Sequence, residues 1–237
     1  MKKVKSWVCL ILTAAMLLVL PACGGNGETA DSDSANSASG ETYTWRIAHN
    51  NAEDSQWQLN LLELSDLVKE ASGGQLVIEL YPNSQLGDDT AMCEMIRNGN
   101  LDMMVTGGEV PGRWYSPVNL MAMPYLFKDL DHLERCIYGE PGEIMAKGLS
   151  QAGLGVFDYW LRANRQILSK EPIETLDDMQ GLKIRVPETD IWIKSMESLG
   201  ANPTPVAFSE SFTALQQGVV DAIENPLSAM YTMRFHE

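Results

Sequence analysis

Positive charge is scarce in this sequence. It carries 17 lysine and arginine residues against 32 aspartate and glutamate residues, a formal net charge of −15 at pH 7. Proteins that bind nucleic acids need basic patches, because contacts to phosphates supply much of their affinity. The acidic excess therefore argues against a nucleic-acid partner. A hydrophobic content of 45% in 237 residues allows a core for one large or two small domains.

Cysteine and histidine are also rare. Beyond the first 23 residues the only cysteines are Cys93 and Cys136, which either form a disulfide outside the cytoplasm or remain as two buried thiols. The three histidines show no metal-ligand spacing to one another or to these cysteines. We therefore expect no metal site and no other cofactor.

Catalytic motifs are missing as well. The sequence contains no Gly-x-Ser-x-Gly, no Gly-x-x-x-x-Gly-Lys, no His-Glu-x-x-His and no Gly-x-Gly-x-x-Gly pattern. Acidic residues are abundant, but none is marked as a catalytic pair. We therefore expect a protein that is not an enzyme. The alternative is an enzyme that uses Glu109 or Glu224, since an acid-rich surface supplies such candidates.

The first 22 residues are typical of a signal peptide. Lysines precede an apolar run over 7–20, which is shorter than the roughly 20 residues that a membrane-spanning helix needs. Residues 20–23, Leu-Pro-Ala-Cys, resemble a bacterial lipobox, which implies a lipid on Cys23; a plain secretory signal is the alternative. The stretch 23–41 is rich in glycine, serine and aspartate, as in a flexible tether. We expect export to the periplasm or the outer face of the cytoplasmic membrane, with a lipid anchor.

Strand and helix periodicities alternate along the rest of the chain. Strands are predicted at 43–49, 76–81, 101–106, 154–160 and 165–169, and the segment 117–127 is predicted as a strand or a crossing segment between two lobes. Helices are predicted between the first three strands and over 129–138 and 143–151. This rhythm favours an α/β fold.

The stretch 181–226 repeats a β-α-β-α-β pattern. Its strands are predicted at 182–186, 204–207 and 219–225, with helices at 190–199 and 211–217. In parallel sheets of this kind, ligands bind at the carboxyl ends of the strands. Arg185, Phe208 and Asn225 all fall at or just past a strand end, so we expect them around one crevice.

Several ordered motifs resemble those of the substrate-binding proteins of tripartite ATP-independent periplasmic (TRAP) transporters, the dicarboxylate-binding DctP type. The motifs extend from about residue 43 to the end, and they read Tyr-Pro-Asn-Ser-Gln-Leu-Gly-Asp at 81–88, Asn-Gly-Asn-Leu-Asp at 98–102, Gly-Leu-Lys-Ile-Arg-Val-Pro at 181–187, Leu-Gly-Ala-Asn-Pro-Thr-Pro at 199–205, Ala-Leu-Gln-Gln-Gly-Val-Val-Asp at 214–221 and Glu-Asn-Pro at 224–226.

The resemblance implies a carboxylate site. In that family the arginine of the Lys-Ile-Arg-Val-Pro motif grips the substrate carboxylate, and here it is Arg185. The resemblance further implies Arg165, not Arg162, as the second arginine, Asn225 as a hydrogen-bonding partner and Phe208 as a ring packed on the ligand. Each has an alternative: Arg165 as a salt-bridge partner, Asn225 as a helix cap and Phe208 as a core residue.

Further residues are candidates for the pocket lining. Asn50 follows the first predicted strand, and Trp160 lies on the strand predicted before Arg165, where it could equally be a core residue. Trp192 could line the cleft or the core. Two positions depart from the acid-sugar binders of the family. Glu188 stands where some of them resemble an asparagine site, and its carboxylate would repel a second anionic group, which disfavours a sialic-acid-type ligand. Gly107 stands where such relatives carry an acid, so the resemblance does not extend to their wider polar network.

These observations predict a two-lobed α/β protein of the periplasmic-binding-protein-like (type II) fold with a ligand cleft between the lobes. The expected division is 1–22 signal peptide, 23–41 lipidated cysteine and tether, 42–124 first lobe, 125–225 mainly second lobe, and 226–237 the start of a helix in a C-terminally truncated chain. The expected function is capture of an organic acid for delivery to the small and large membrane subunits of a TRAP-type secondary transporter. A ligand-sensing lipoprotein for a membrane receptor and an exported enzyme that acts on an organic acid are the alternatives.

Overall fold

A computed structural model of the protein describes residues 41–237. The predicted signal peptide, Cys23 and all of the predicted tether except Glu41 lie outside the described residues. Within 41–237, no helix combines the length and apolar composition needed to cross a membrane.

The first sheet has three parallel strands in the order β2-β1-β3. Its elements are β1 (Tyr43–His49), α1 (Gln56–Ala71), β2 (Leu76–Tyr81), α2 (Asp89–Arg97) and β3 (Met103–Val105). Ser55 caps α1 by accepting a hydrogen bond from the backbone N–H of Gln58. Ile47, Leu61 and Ile78 form the core between this sheet and α1. The predicted elements of this region are therefore confirmed.

The segment after β3 differs from the prediction. A 3-10 helix over Ser116–Ala122 lies where a strand or crossing segment was expected, and Pro117 stands in its first turn. Proline fixes φ near −65° and has no N–H for a strand ladder, which suits a helical first turn. The strand alternative for 117–127 is therefore wrong, and the alternative of a crossing segment between two lobes stays a prediction.

The helices that follow are α3 (Leu130–Ile137) and α4 (Glu140–Gln151), as predicted apart from their ends. Leu149 and Leu154 pack with Cys93 and Val118, so this part of the chain covers the α2 side of the first sheet. The boundary predicted at residue 125 between the lobes stays a prediction.

The strand predicted at 154–160 is wrong, because these residues form no strand. The Tyr138 hydroxyl instead bonds the Asp158 side chain at 3.0 Å and the Tyr159 carbonyl at 3.1 Å. A strand forms only when its backbone pairs with that of a neighbouring strand. This segment has no such pairing, and the hydrogen bonds from Tyr138 position it instead.

The second sheet has four strands in the order β4-β7-β5-β6. Its elements are β4 (Arg165–Ser169), β5 (Lys183–Val186), α5 (Asp190–Ser198), β6 (Asn202–Pro205), α6 (Ser211–Gln216), β7 (Ala222–Pro226) and α7 (Leu227–Thr232). Strand β5 is parallel to both β6 and β7, which confirms the predicted β-α-β-α-β arrangement, and β4 pairs with β7 in the antiparallel sense.

Alternation along β5 separates the core from the polar face. Ile184 and Val186 pack against Trp192 of α5 in one cluster. Arg185 points to the opposite face, towards Phe208, which packs with Ile223 of β7 in a second cluster. The carboxyl ends of β5 and β7 thereby present a buried cation and an amide at the same edge of the sheet.

Candidate functional site

Five of the predicted site residues line one cavity of about 50 Å³. The cavity lies where the strand ends of both sheets meet, and its lining is Asn50, Asn51, Asp89, Gly107, Glu109, Val110, Arg162, Arg165, Arg185, Pro187, Phe208 and Asn225. The predicted residues in this set are Asn50, Arg165, Arg185, Phe208 and Asn225. The strand-end argument thus located a polar cavity, while the role of each residue in binding stays a prediction.

Arg185 is buried without an acidic partner. Its side chain is 2% exposed, Nε donates to the Val206 carbonyl oxygen at 2.9 Å, and the guanidinium carbon lies 5.7 Å from the Phe208 ring centroid. Within residues 41–237, no carboxylate lies within 4.0 Å of its nitrogens. Burial lowers the pKa of this guanidinium to about 10, so it remains charged at neutral pH. The terminal nitrogens are available to an anion.

Arg165 is paired with Glu224. Nη2 donates to Oε1 of Glu224 at 2.8 Å and to its carbonyl oxygen at 3.1 Å, and Nε donates to Oε2. The guanidinium also stacks over Trp192, 4.6 Å from the ring centroid. Glu224 is 2% exposed, and burial raises its pKa although Arg165 opposes that shift. The salt-bridge alternative for Arg165 therefore holds in this structure, although its side chain also faces the cavity.

Arg162 is a cavity residue that sequence reasoning set aside. Nη2 donates to Oδ1 of Asn225 at 3.3 Å, and the guanidinium carbon lies 5.7 Å from the Trp57 ring centroid. Burial, followed by the positive charge of Arg165, lowers the pKa of Arg162. Residues 154–164 form no helix or strand, so no period in the sequence signals where this side chain points.

Trp160 is not among the residues that line the cavity. Its ring stacks on Trp57 with 5.3 Å between centroids, and its side chain is 38% exposed. Trp160 therefore packs against Trp57, the ring over which the Arg162 guanidinium lies, and not against the cavity itself. The structure brings the other five predicted residues together and leaves this one outside.

Two acids contribute the opposite side of the cavity. Asp89, at the start of α2, accepts hydrogen bonds of 2.6 Å from Asn50 Nδ2 and from Thr106 Oγ1, and burial raises its pKa. Glu109 accepts a bond from Trp192 Nε1 at 3.0 Å. Sequence reasoning named Glu109 only in the enzyme alternative and did not name Asp89 as a site residue. The signal that could have found both is their place in the connections that follow β2 and β3, where Asp89 begins α2 and Glu109 follows β3.

The site can therefore hold an anion between its arginines and offer acceptor oxygens on the facing side. Arg162 and Arg185 form no salt bridge within the described residues, and Arg165 is neutralised by Glu224. No group of three or more potential metal ligands occurs within 41–237. Cys93 and Cys136 are both free thiols.

A larger cavity of about 220 Å³ lies away from these charges, between the 3-10 helix over Ser116–Ala122 and helices α3 and α4. Its lining is mainly apolar and consists of Leu120, Met121, Leu126, Phe127, His132, Cys136, Ile137, Pro141, Gly142 and Met145. Small-molecule sites combine an apolar wall with a few convergent polar groups. Despite its size, this cavity lacks the charged groups that converge in the smaller one.

Comparison with known proteins places this geometry in a wider context. The family model for bacterial extracellular solute-binding protein, family 7, matches residues 47–237. The sialic acid-binding periplasmic protein of Vibrio cholerae is 36% identical over 175 residues, which cover 73% of this chain and 54% of that protein.

Two crystal structures of TRAP periplasmic solute-binding proteins are similar to this fold. One, from Roseobacter denitrificans with bound L-galactonate, gives a TM-score of 0.79 at 32% identity and covers 83% of this chain and 66% of that one. The other, from Sulfurospirillum deleyianum with bound succinate, gives 0.78 at 31% identity and covers 82% and 63%. Among curated relatives, the chain spans 62% of the length of one from Roseobacter denitrificans and 54% of the Vibrio cholerae protein. The two-lobed α/β fold expected from the sequence is confirmed by these neighbours.

Proposed function

The chain belongs to family 7 of the bacterial extracellular solute-binding proteins, and on this premise we propose that it captures an organic acid outside the cytoplasm and delivers it to a TRAP-type secondary transporter. Its partners in this proposal are the small and large membrane subunits of that transporter. The protein binds and releases its ligand unchanged.

The observation that carries the proposal is the state of Arg185. Burying a cation without a partner is costly, because the protein interior replaces its hydration poorly. A carboxylate ligand would supply the missing charge and form paired hydrogen bonds to the guanidinium fork, each about 1.5–3 kcal/mol. A buried arginine without a salt bridge therefore suits a site in which the ligand supplies the acidic partner.

The ligands of the relatives support the carboxylate class. The relatives described above are a sialic acid-binding protein and two proteins with bound L-galactonate or succinate, and each of these molecules carries at least one carboxylate. The chain's own formal net charge of −15 repels anions at long range. Affinity must therefore come from short-range contacts to Arg185 and to the neighbouring arginines.

Groups from both sheets line the cavity of about 50 Å³, so a ligand held there contacts both of its sides. We propose that the two lobes separate to admit the ligand and then close on it, with the ligand bridging groups from both. The Trp192 to Glu109 hydrogen bond joins the two sides and would open and re-form in that cycle.

The lipid anchor is a separate part of the proposal. Cys23 would carry the lipid after removal of residues 1–22, and the glycine- and serine-rich stretch after it would tether the binding domain to the membrane surface. Mass spectrometry of the mature N-terminus tests this part: an unmodified Cys23, or cleavage elsewhere, would refute it without touching the binding proposal.

A calorimetric titration with a panel of carboxylic acids tests the binding proposal. We expect at least one acid to bind the full chain, and Arg185→Ala to weaken that binding by about 100-fold, which corresponds to about 2.7 kcal/mol. Arg185→Lys keeps the charge but not the fork and should recover only part of the affinity. Arg135→Ala, which removes an exposed arginine of α3, is the matched control. Undiminished binding by a folded Arg185→Ala protein would contradict the assignment.

A further inference from the structure

The two sides of the cavity differ in charge. Asp89 and Glu109 approach from the first sheet, whereas the arginines approach from the second sheet and the segment before it. A ligand carboxylate at Arg185 leaves the rest of the ligand facing the two acids. The chemistry of those acids then decides what the second half of the ligand can be.

One of the two carboxylate oxygens of Glu109 accepts no hydrogen bond within the described residues. The residue is 9% exposed, and Oε1 accepts the bond from Trp192 Nε1. Within residues 41–237, no donor reaches Oε2. Both oxygens of Asp89, in contrast, already accept bonds from Asn50 and Thr106. An ionised carboxylate only accepts hydrogen bonds, so Oε2 of Glu109 suits a ligand hydroxyl, which donates one.

Gly107 makes room for this acid. A Cβ added there would lie 2.7 and 2.8 Å from the two carboxyl oxygens of Glu109, closer than real contacts allow. The backbone of Gly107 does not have the positive φ that favours glycine. The missing side chain at 107 therefore leaves room for the Glu109 carboxyl group.

Resting on the proposed function, we infer that the site takes a monocarboxylate that carries hydroxyl groups, and that Glu109 determines this preference against dicarboxylates. One carboxylate binds at Arg185, and a hydroxyl of the same ligand donates to Glu109 Oε2. A second carboxylate in that place has no proton to donate and adds a negative charge beside Glu109 in a poorly solvated cavity, where like charges repel strongly.

The experiment compares galactonate, succinate and hexanoate as probes in titrations of the full chain. Galactonate carries hydroxyls and one carboxylate, succinate carries two carboxylates, and hexanoate carries one carboxylate and no hydroxyl. We expect galactonate to bind at least 10-fold more tightly than either of the others. Glu109→Gln keeps the size of the side chain and removes its charge, so it should lower the preference for galactonate over succinate by at least 10-fold.

Two further variants separate this role from a general loss of fit. Gly107→Ala should displace the Glu109 carboxyl and lower the same preference while Glu109 itself is unchanged. Glu197→Gln removes an exposed charge from α5, the helix that carries Trp192, and should leave the preference as it is. Thermal unfolding without ligand shows whether each variant is folded.

The outcomes are distinct. Succinate or hexanoate that binds the unaltered chain as tightly as galactonate would overturn the inference and leave carboxylate capture standing. An unchanged preference in folded Glu109→Gln and Gly107→Ala proteins would overturn the role of Glu109. A chain that binds no acid at all, or whose binding survives Arg185→Ala, would refute the proposed function and the inference with it.

Discussion

Replacing Glu224 by glutamine should destabilise the empty protein and strengthen its binding of a carboxylate. Two nitrogens of Arg165 donate to the Glu224 carboxylate, and charge-assisted bonds contribute about 1.5–3 kcal/mol each. A glutamine keeps one neutral acceptor and turns an N–H donor towards the guanidinium. The Arg165 side chain is 24% exposed and keeps its bond to the backbone carbonyl of residue 224, which limits the loss.

We therefore expect the free energy of unfolding to fall by about 3 kcal/mol, near the lower end of the cost of breaking a buried pair. The uncompensated charge of Arg165 then faces the cavity, and the affinity for a monocarboxylate should rise about 10-fold, which corresponds to about 1.4 kcal/mol. Urea unfolding without ligand measures the first effect, and calorimetric titration measures the second.

Asp221→Asn is the matched control, since Asp221 forms an exposed salt bridge of 3.1 Å to Lys170 beside the same strand. Surface pairs of this kind contribute about 0–1 kcal/mol. A Glu224→Gln protein that loses less than about 1 kcal/mol, or that binds the carboxylate more weakly, would refute the reasoning that Glu224 neutralises Arg165 in the empty site.

Two further predictions concern stability. His49 is fully buried, and burial lowers its pKa from 6.5, so below that pH the unfolded chain binds a proton that the folded chain does not. The free energy of unfolding should thus fall as the pH drops below about 6.5, by up to about 1.4 kcal/mol per pH unit, and urea unfolding of His49→Gln should show a smaller fall; an identical pH dependence in the variant would contradict this. Gly148→Ala normally stabilises a helix by about 1 kcal/mol, but the new Cβ would lie 2.1 Å from the Tyr115 ring, so we expect a net loss of about 1–3 kcal/mol. Gly155→Ala, where nothing lies within 4 Å, should be close to neutral, and equal unfolding midpoints for the two alanine variants would count against the steric argument.

Local patterns predicted the elements well where the spacing of apolar residues agrees with the glycine or proline residues that end each element. Strand β1 alternates apolar and polar residues and α1 carries an apolar stripe, and both occur within a few residues of their predicted bounds. The prediction of a strand at 154–160 was wrong because an extended apolar run becomes a strand only beside a free strand edge. No local pattern reports that edge.

The candidate site was predicted only in part, because local patterns report strand ends but not contacts between distant segments. Strand ends are local features, so Arg185, Phe208 and Asn225 could be assigned to one crevice from the sequence. Glu109 and Trp192 are 83 residues apart, and their hydrogen bond exists only because the two sheets meet. Arg162 lies on a segment without a period and was found only in three dimensions.

The sequence by itself determined the acidic character of the chain, the α/β alternation and the presence of arginines near strand ends. Each of these depends only on composition or on the spacing of residues a few positions apart. Only the tertiary structure decided which arginine is neutralised. In the antiparallel register of β4 and β7, Arg165 pairs with Pro226, and Glu224 therefore lies diagonally across from it on the same face. Arg185 on β5 forms no salt bridge within the described residues, although the charge of Glu224 on β7 also acts on it. A charge is neutralised by what lies within a few ångströms, and strand register sets that distance.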